Sequence, residues 1–218
     1  MKTRYFTVKT IEAKSREFME RIERFKKKTR VEFNPEASAL LILDMQRFFL
    51  DEASHAHVPS APAVVPNIAR LAALFNDRGL AVISTRHVNS DDNANMMAVW
   101  WRDVIRRENE LSEIVADLAL PYAEVIEKPQ YDAFYRTKLE DILKGRGISQ
   151  VVVTGVMTHL CVETTARTAF VRGFEVIIPV DATAAYNEDF HLSTLTNLSH
   201  GFAVPVFMDD LIRSMEAM

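Results

Sequence analysis

The chain has 218 residues, 48% of them hydrophobic and 26% charged, with a formal net charge of −4. That balance suits one α/β domain with a sizeable core and excludes a disordered or fibrous chain. A lone cysteine cannot form an internal disulfide, no apolar run reaches the ~18 residues of a membrane span, and the charged start offers no secretory-signal core, so a cytoplasmic protein without a membrane partner is expected.

Residues 1–30 hold eleven Lys or Arg against four Asp or Glu, a local net of +7. Such an arm could grip nucleic acid. Its acidic residues are interleaved with the basic ones, however, and Ile11, Phe18, Ile22 and Phe25 recur at helical spacing. The pattern predicts no nucleic-acid partner but a basic amphipathic arm over 1–32, docked on its own body or on a second subunit. The body then runs over 33–218.

Beyond the arm the elements alternate. Ala39–Leu43 is a short apolar run ending at Asp44, as a buried parallel strand would. Val64, Ile68, Leu71 and Phe75 keep one helical face, with Gly79 as its stop. Strands are predicted over Leu80–Thr85 and Tyr122–Glu127, with a helix between them over Trp100–Val115. Thr137 and Glu140 have capping-box spacing ahead of a helix carrying Leu139, Ile142 and Leu143 and ending at Gly145 or Gly147. Gln150–Thr154 is a strand, Cys161–Arg172 a helix stopped by Gly173, and Phe174–Val180 a strand. A helix over Phe190–His200 and a strand over Ala203–Phe207 complete the series.

Strands separated by helices imply parallel pairing and a Rossmann-like three-layer α/β/α sandwich with a mainly parallel sheet. Ligands gather at the carboxyl ends of the strands in such folds. Asp44, Lys128 and Cys161 each lie at or just after a predicted carboxyl end, so three reactive side chains should meet on one rim. A cysteine at a helix start faces free backbone N–H groups, which favour thiolate. Asp44 could accept its proton and Lys128 could hold both anions in register. Singly each residue has a plainer reading: a small buried hydrophobe, a backbone cap, a solvated cation.

The surrounding strings decide between them. Leu43-Asp44-Met45-Gln46-Arg47-Phe48-Phe49, Glu127-Lys128-Pro129-Gln130-Tyr131-Asp132-Ala133-Phe134, Thr154-Gly155-Val156-Met157-Thr158-His159-Leu160-Cys161-Val162-Glu163-Thr164-Thr165-Ala166-Arg167 and Asp181-Ala182-Thr183-Ala184 resemble the isochorismatase-like hydrolase superfamily, in its cysteine hydrolase branch. The resemblance runs from about Ala39 to about Phe207. It implies a catalytic triad of Asp44, Lys128 and Cys161 and a cis peptide between Val156 and Met157. It also implies oxyanion donors at the backbone N–H groups of Met157 and Cys161, and pocket walls at Phe49, His87, Tyr131 and His159. Homodimers or homotetramers are implied as well.

Metal-using nicotinamidases of the superfamily place an Asp and two His after the second strand. Thr85-Arg86-His87-Val88-Asn89-Ser90-Asp91 lacks that pattern, so nicotinamidase activity is disfavoured. His55 and His57 form a His-x-His pair able to ligate a metal, but a surface-loop setting is the expected one, so no metal and no cofactor are assigned. The expected activity is a metal-independent amidohydrolase cleaving an amide or carbamoyl C–N bond of a small molecule through a thioester. The rival readings are a vinyl-ether hydrolase of the isochorismatase type, with Asp44 as general acid, and a non-enzymatic scaffold.

Overall fold

The computed structural model describes residues 1–217. Its strands are β1 (Ser38–Leu43), β2 (Ala81–His87), β3 (Glu124–Lys128), β4 (Gln150–Val156), β5 (Glu175–Pro179), β6 (Thr183–Ala184) and β7 (Val204–Val206). They form one sheet in the order β3-β2-β1-β4-β5-β7, with β6 beside the end of β4, and all the pairings are parallel. β1 and β4 are central and fully buried, because parallel strands covered on both faces need continuous apolar sequence. Side-chain alternation divides the core. Leu40, Ile42, Val152 and Ile177 point to one face, and Ala39, Leu41, Leu43, Val151 and Val153 to the other.

The helices are α1 (Ile11–Glu23), α2 (Arg47–Leu50), α3 (Ala61–Asp77), α4 (Met96–Trp100), α5 (Leu139–Gly145), α6 (Glu163–Val171), α7 (Glu188–Gly201) and α8 (Met208–Glu216). α3 and α8 cover the first face of the sheet, and α5, α6 and α7 the second. The result is a three-layer α/β/α sandwich. At its carboxyl edge β1 and β4 come so close that a Cβ on Gly155 would lie 2.1 Å from the Leu43 carbonyl oxygen; Gly155 also sits at φ +103°. Only glycine satisfies both conditions.

The arm packs on its own body. Phe6 and Phe18 are buried with the α3 side of the core, Ile22 joins the opposite side, and α1 lies against α7. Phe25 falls beyond the end of α1 and is 42% exposed.

Three local expectations fail. Residues 100–115 are not a helix. α4 ends at Trp100, and the chain then runs extended around a one-turn 3₁₀ helix at Glu110–Ser112. Its backbone groups pair outward: Asn89 N donates to Ile105 O, Arg47 N to Glu113 O and Val115 N to Met45 O. Tertiary hydrogen bonds outcompete the local helix there. The capping box also fails. Thr137 Oγ1 accepts from Leu139 N, but Glu140 turns away to pair with Lys144 and Arg172. Cys161 belongs to a π-type turn over Thr158–Val162 that precedes α6, rather than to the α-helix itself.

Candidate active site

Asp44 follows β1, Lys128 ends β3, and Cys161 lies in the turn after β4. Asp44 Oδ2 is 2.8 Å from Lys128 Nζ, and both side chains are fully buried. Lys128 Nζ lies 3.4 Å from Cys161 Sγ and also donates to the carbonyls of Gln130 (2.7 Å) and Tyr131 (3.2 Å). Asp44 Oδ1 accepts from Thr85 Oγ1 at 2.7 Å, and the same hydroxyl accepts from Asp44 N at 3.1 Å. That reciprocal pair fixes the carboxylate. Oδ2, by contrast, has its ionic contact but no aligned hydrogen bond, so a lone pair remains available for a proton. Asp44 holds φ +51°, a left-handed conformation costly for most residues and tolerated best by Asp and Asn.

Burial dominates the electrostatics. It pushes the Cys161 thiol up to about 12; Lys128 opposes the rise and Asp44 adds to it. Cys161 is therefore a neutral thiol in the free protein, contrary to the helix-start argument for thiolate. Desolvation outweighs what the turn's N–H groups can offer. For Lys128 burial pulls down, but its pairing with the Asp44 carboxylate outweighs it and its ammonium is held above its ordinary value.

The Val156–Met157 peptide is cis. Leu160 N and Val162 N both donate to Met157 O, at 3.0 and 3.2 Å, which wraps the turn around the thiol. Thr158 Oγ1 lies 3.0 Å from His191 Nδ1 and anchors the turn from below.

Cys161 and Met157 open into a largely apolar cavity of about 260 Å³. Phe49, His87 and Tyr131 line it. His87 is buried, its ring kept neutral and pushed down to about 4 by burial and by Lys128, and its Nε2 is 2.9 Å from Asn89 Oδ1. His159 does not line this cavity. It stacks on Phe190 at 4.4 Å in an adjoining apolar recess, beyond a wall formed where Trp101 Nε1 donates to Tyr131 Oη at 2.7 Å.

Several cavity or supporting residues lacked a signal in the sequence. Gln46 donates to the carbonyls of His87 and Ser112 and accepts from His87 N, tying β1, β2 and the 101–118 segment together. Lys2, His55, Met97, Trp101 and Tyr186 also line the cavity. The paired Met and Trp of residues 96–101 were the available hint. His55 thus stands at the cavity mouth, where its Nε2 is 3.2 Å from Asp103. His57 points elsewhere, its Nε2 buried without a partner. Among the described residues no group of three or more His, Cys, Asp or Glu side chains is arranged to hold a metal ion, and no helix is long and apolar enough to cross a membrane.

Residues 38–210 match the family model of the Isochorismatase domain. Over 187 residues the chain is 37% identical to Nicotinamidase 3 of Arabidopsis thaliana, covering 84% of this chain and 90% of that protein. It is 32% identical over 184 residues to Enterobactin synthase component B of Escherichia coli (strain K12), covering 83% of this chain and 64% of that protein, so the chain spans just under two-thirds of that relative's length. The fold is similar to a cysteine hydrolase from Pseudomonas syringae pv. phaseolicola 1448A, with a TM-score of 0.81 at 24% identity, covering 88% of this chain and 98% of that chain. With the matched span covering most of the sequence, this chain belongs to the Isochorismatase domain family.

Proposed function

We propose that the chain is a cysteine hydrolase that cleaves the C–N bond of a small amide or carbamoyl compound. The observation that carries this is the buried Asp44–Lys128–Cys161 cluster under the cavity. A relative named as a nicotinamidase supports amide hydrolysis as the class. It also returns nicotinamide to the candidate substrates, since the missing Asp and His pattern argues only against a metal-dependent way of hydrolysing it.

The thiol is neutral at rest, so proton transfer and attack are coupled. Cys161 Sγ attacks the carbonyl carbon as its proton passes to Asp44 Oδ2. The oxyanion is received by the N–H groups of Met157 and Cys161. Asp44 passes the proton to the leaving nitrogen, the C–N bond breaks, and the acyl group remains as a thioester. A water molecule then gives a proton to Asp44 and attacks the thioester. The thiolate leaves, recovers the proton from Asp44, and the acid departs. Lys128 keeps Asp44 and the sulfur in register throughout.

The test is a panel of primary carboxamides, nicotinamide among them, and N-carbamoyl compounds, read out by ammonia release. Turnover by the wild type with loss of about 10³-fold or more in both Cys161→Ala and Asp44→Asn is expected. Asn tolerates the positive φ at 44 but leaves the buried Lys128 ammonium without its counter-charge, so the Asp44→Asn activity is read at a temperature where urea unfolding shows the variant fully folded. Full amide turnover by Cys161→Ala would remove the thioester mechanism; no ammonia from any amide, with a vinyl-ether substrate cleaved by the wild type and Cys161→Ala but not by Asp44→Asn, would instead point to vinyl-ether cleavage.

A further inference from the structure

The amino-terminal segment lies outside the span that matches the family, yet it reaches the cavity. Residues 1–6 run as a strap across the mouth. Thr3 N donates to Tyr186 O at 2.8 Å, and Asn187 Nδ2 donates to Met1 O at 3.0 Å. On the other side, Arg4 Nε donates to Pro59 O and pairs with Glu52, while Tyr5 N and Phe6 N both donate to Ser60 Oγ at 3.0 Å. Tyr5 Oη accepts from Ala185 N at 2.8 Å, and Phe6 is buried. The strap thus fastens the 52–60 loop to the 185–187 loop, and these loops carry His55 and Tyr186 of the cavity wall.

Lys2 sits at the centre of that crossing. Its Nζ donates to His55 O at 2.5 Å and lies 4.3 Å from the centroid of the Tyr186 ring. These contacts fix the ammonium without neutralising it, since a carbonyl and a π face carry no full charge. Among the described residues neither Lys2 nor Arg102, the other cation of the lining, forms an ion pair, whereas the one acidic lining residue, Asp103, faces His55. Burial also pulls the Lys2 ammonium below its ordinary value, as expected of a cation short of a partner. The cavity is therefore apolar in its body and positive at its mouth, with the thiol at its floor.

Building on the amide-hydrolase reading, we propose that Lys2 is a specificity-determining residue: it selects amides that carry a carboxylate at the end away from the scissile bond. Arg102, the other cation of the lining, assists. An acid-bearing substrate supplies the charge that Lys2 lacks, and its apolar middle lies against Phe48, Phe49, Trp101 and Tyr131.

The test compares carboxylates with neutral nitro isosteres: 3-carboxybenzamide with 3-nitrobenzamide, and glutaramic acid with 4-nitrobutanamide. The wild type should favour the acid of a pair by about tenfold or more in kcat/KM. Lys2→Gln should bring that ratio near one, chiefly by raising KM for the acid, and Lys2→Arg should restore much of it. An equal or reversed wild-type preference, or a preference that survives in Lys2→Gln, overturns the proposal. Calorimetric binding of the same pairs to Cys161→Ala separates this idea from the one beneath it. Acid-selective, Lys2-dependent binding with no turnover by the wild type would keep the subsite and remove amide hydrolysis; turnover or binding without acid preference would do the reverse.

Discussion

The proposed chemistry turns on a thiol that is neutral in the free protein and gives up its proton only when substrate arrives. Burial, with the carboxylate of Asp44 adding and Lys128 opposing, holds Cys161 up at about 12. A chemical probe can read that balance directly. Iodoacetamide reacts with thiolate, so its rate on the free protein should climb roughly tenfold per pH unit from pH 7 to pH 10 without a plateau. Removing the Asp44 charge takes away one of the groups that hold the thiol up. Asp44→Asn should therefore shift the alkylation curve to lower pH while losing turnover, a dissociation that simple damage to the site does not produce. A wild-type rate that saturates below pH 8 would show a thiolate already formed at rest and would require a different proton path.

At the scale of elements, the site exists because β1 and β4 approach each other at their carboxyl ends. Asp44 and the nucleophile turn leave the sheet one strand apart, and Gly155 is the contact that permits it. In Gly155→Ala the new methyl carbon meets the Leu43 carbonyl, which is backbone and cannot swing away, and φ +103° is unfavourable for alanine. The expected loss is more than about 4 kcal/mol in urea unfolding, or no soluble protein at all. A variant with near-native stability would mean the strands can separate there, and the Cys161 turn after β4 could not then hold its place beside Asp44 and Lys128.

The same elements explain what could be read beforehand. Asp44, Lys128 and the cysteine turn were legible because a buried parallel strand writes itself as a short apolar run, and the residue after it falls on the rim. The 101–118 segment was not. Its Trp101 and Ile105 are spaced acceptably for a helix, but with Met97 of α4 they face the cavity, and the segment is held by hydrogen bonds to the end of β1, to α2 and to the loop after β2. Long-range partners of this kind leave no periodic trace. Lys2 was invisible for the same reason: 53 residues separate it from His55, and one more lysine in a basic arm carries no mark of the cavity it reaches.

The whole molecule joins the arm to the nucleophile turn through one buried histidine. His191 is packed among the rings of Tyr5, Phe6 and Phe18 at 5.3 to 5.4 Å, and its Nδ1 meets Thr158 of the turn. Burial keeps it neutral and pushes it down to about 3, and His87 in the site is likewise pushed down to about 4. An unfolded histidine protonates near 6.5, so between pH 7 and pH 5 the unfolded chain takes up protons that the folded one refuses, and stability falls with pH. Each of the two buried rings contributes about 2 kcal/mol of loss over that range. Asp181 acts in the opposite sense. Burial raises it to about 6, so the folded chain gains a proton there on acidification and recovers about 1 kcal/mol. His159, partly buried and likewise pushed down to about 4, adds up to about 2 kcal/mol in the same sense as the other two rings. The net expectation is a protein about 3 to 5 kcal/mol less stable at pH 5 than at pH 7, measured by urea unfolding at both values. His191→Gln, though weaker at pH 7 through lost packing, should show about 2 kcal/mol less of that acid sensitivity than the wild type, because the titrating ring is gone. Equal stability of the wild type at the two pH values would mean that the histidines are not held neutral, and that the aromatic contact between arm and turn opens to water in the native state.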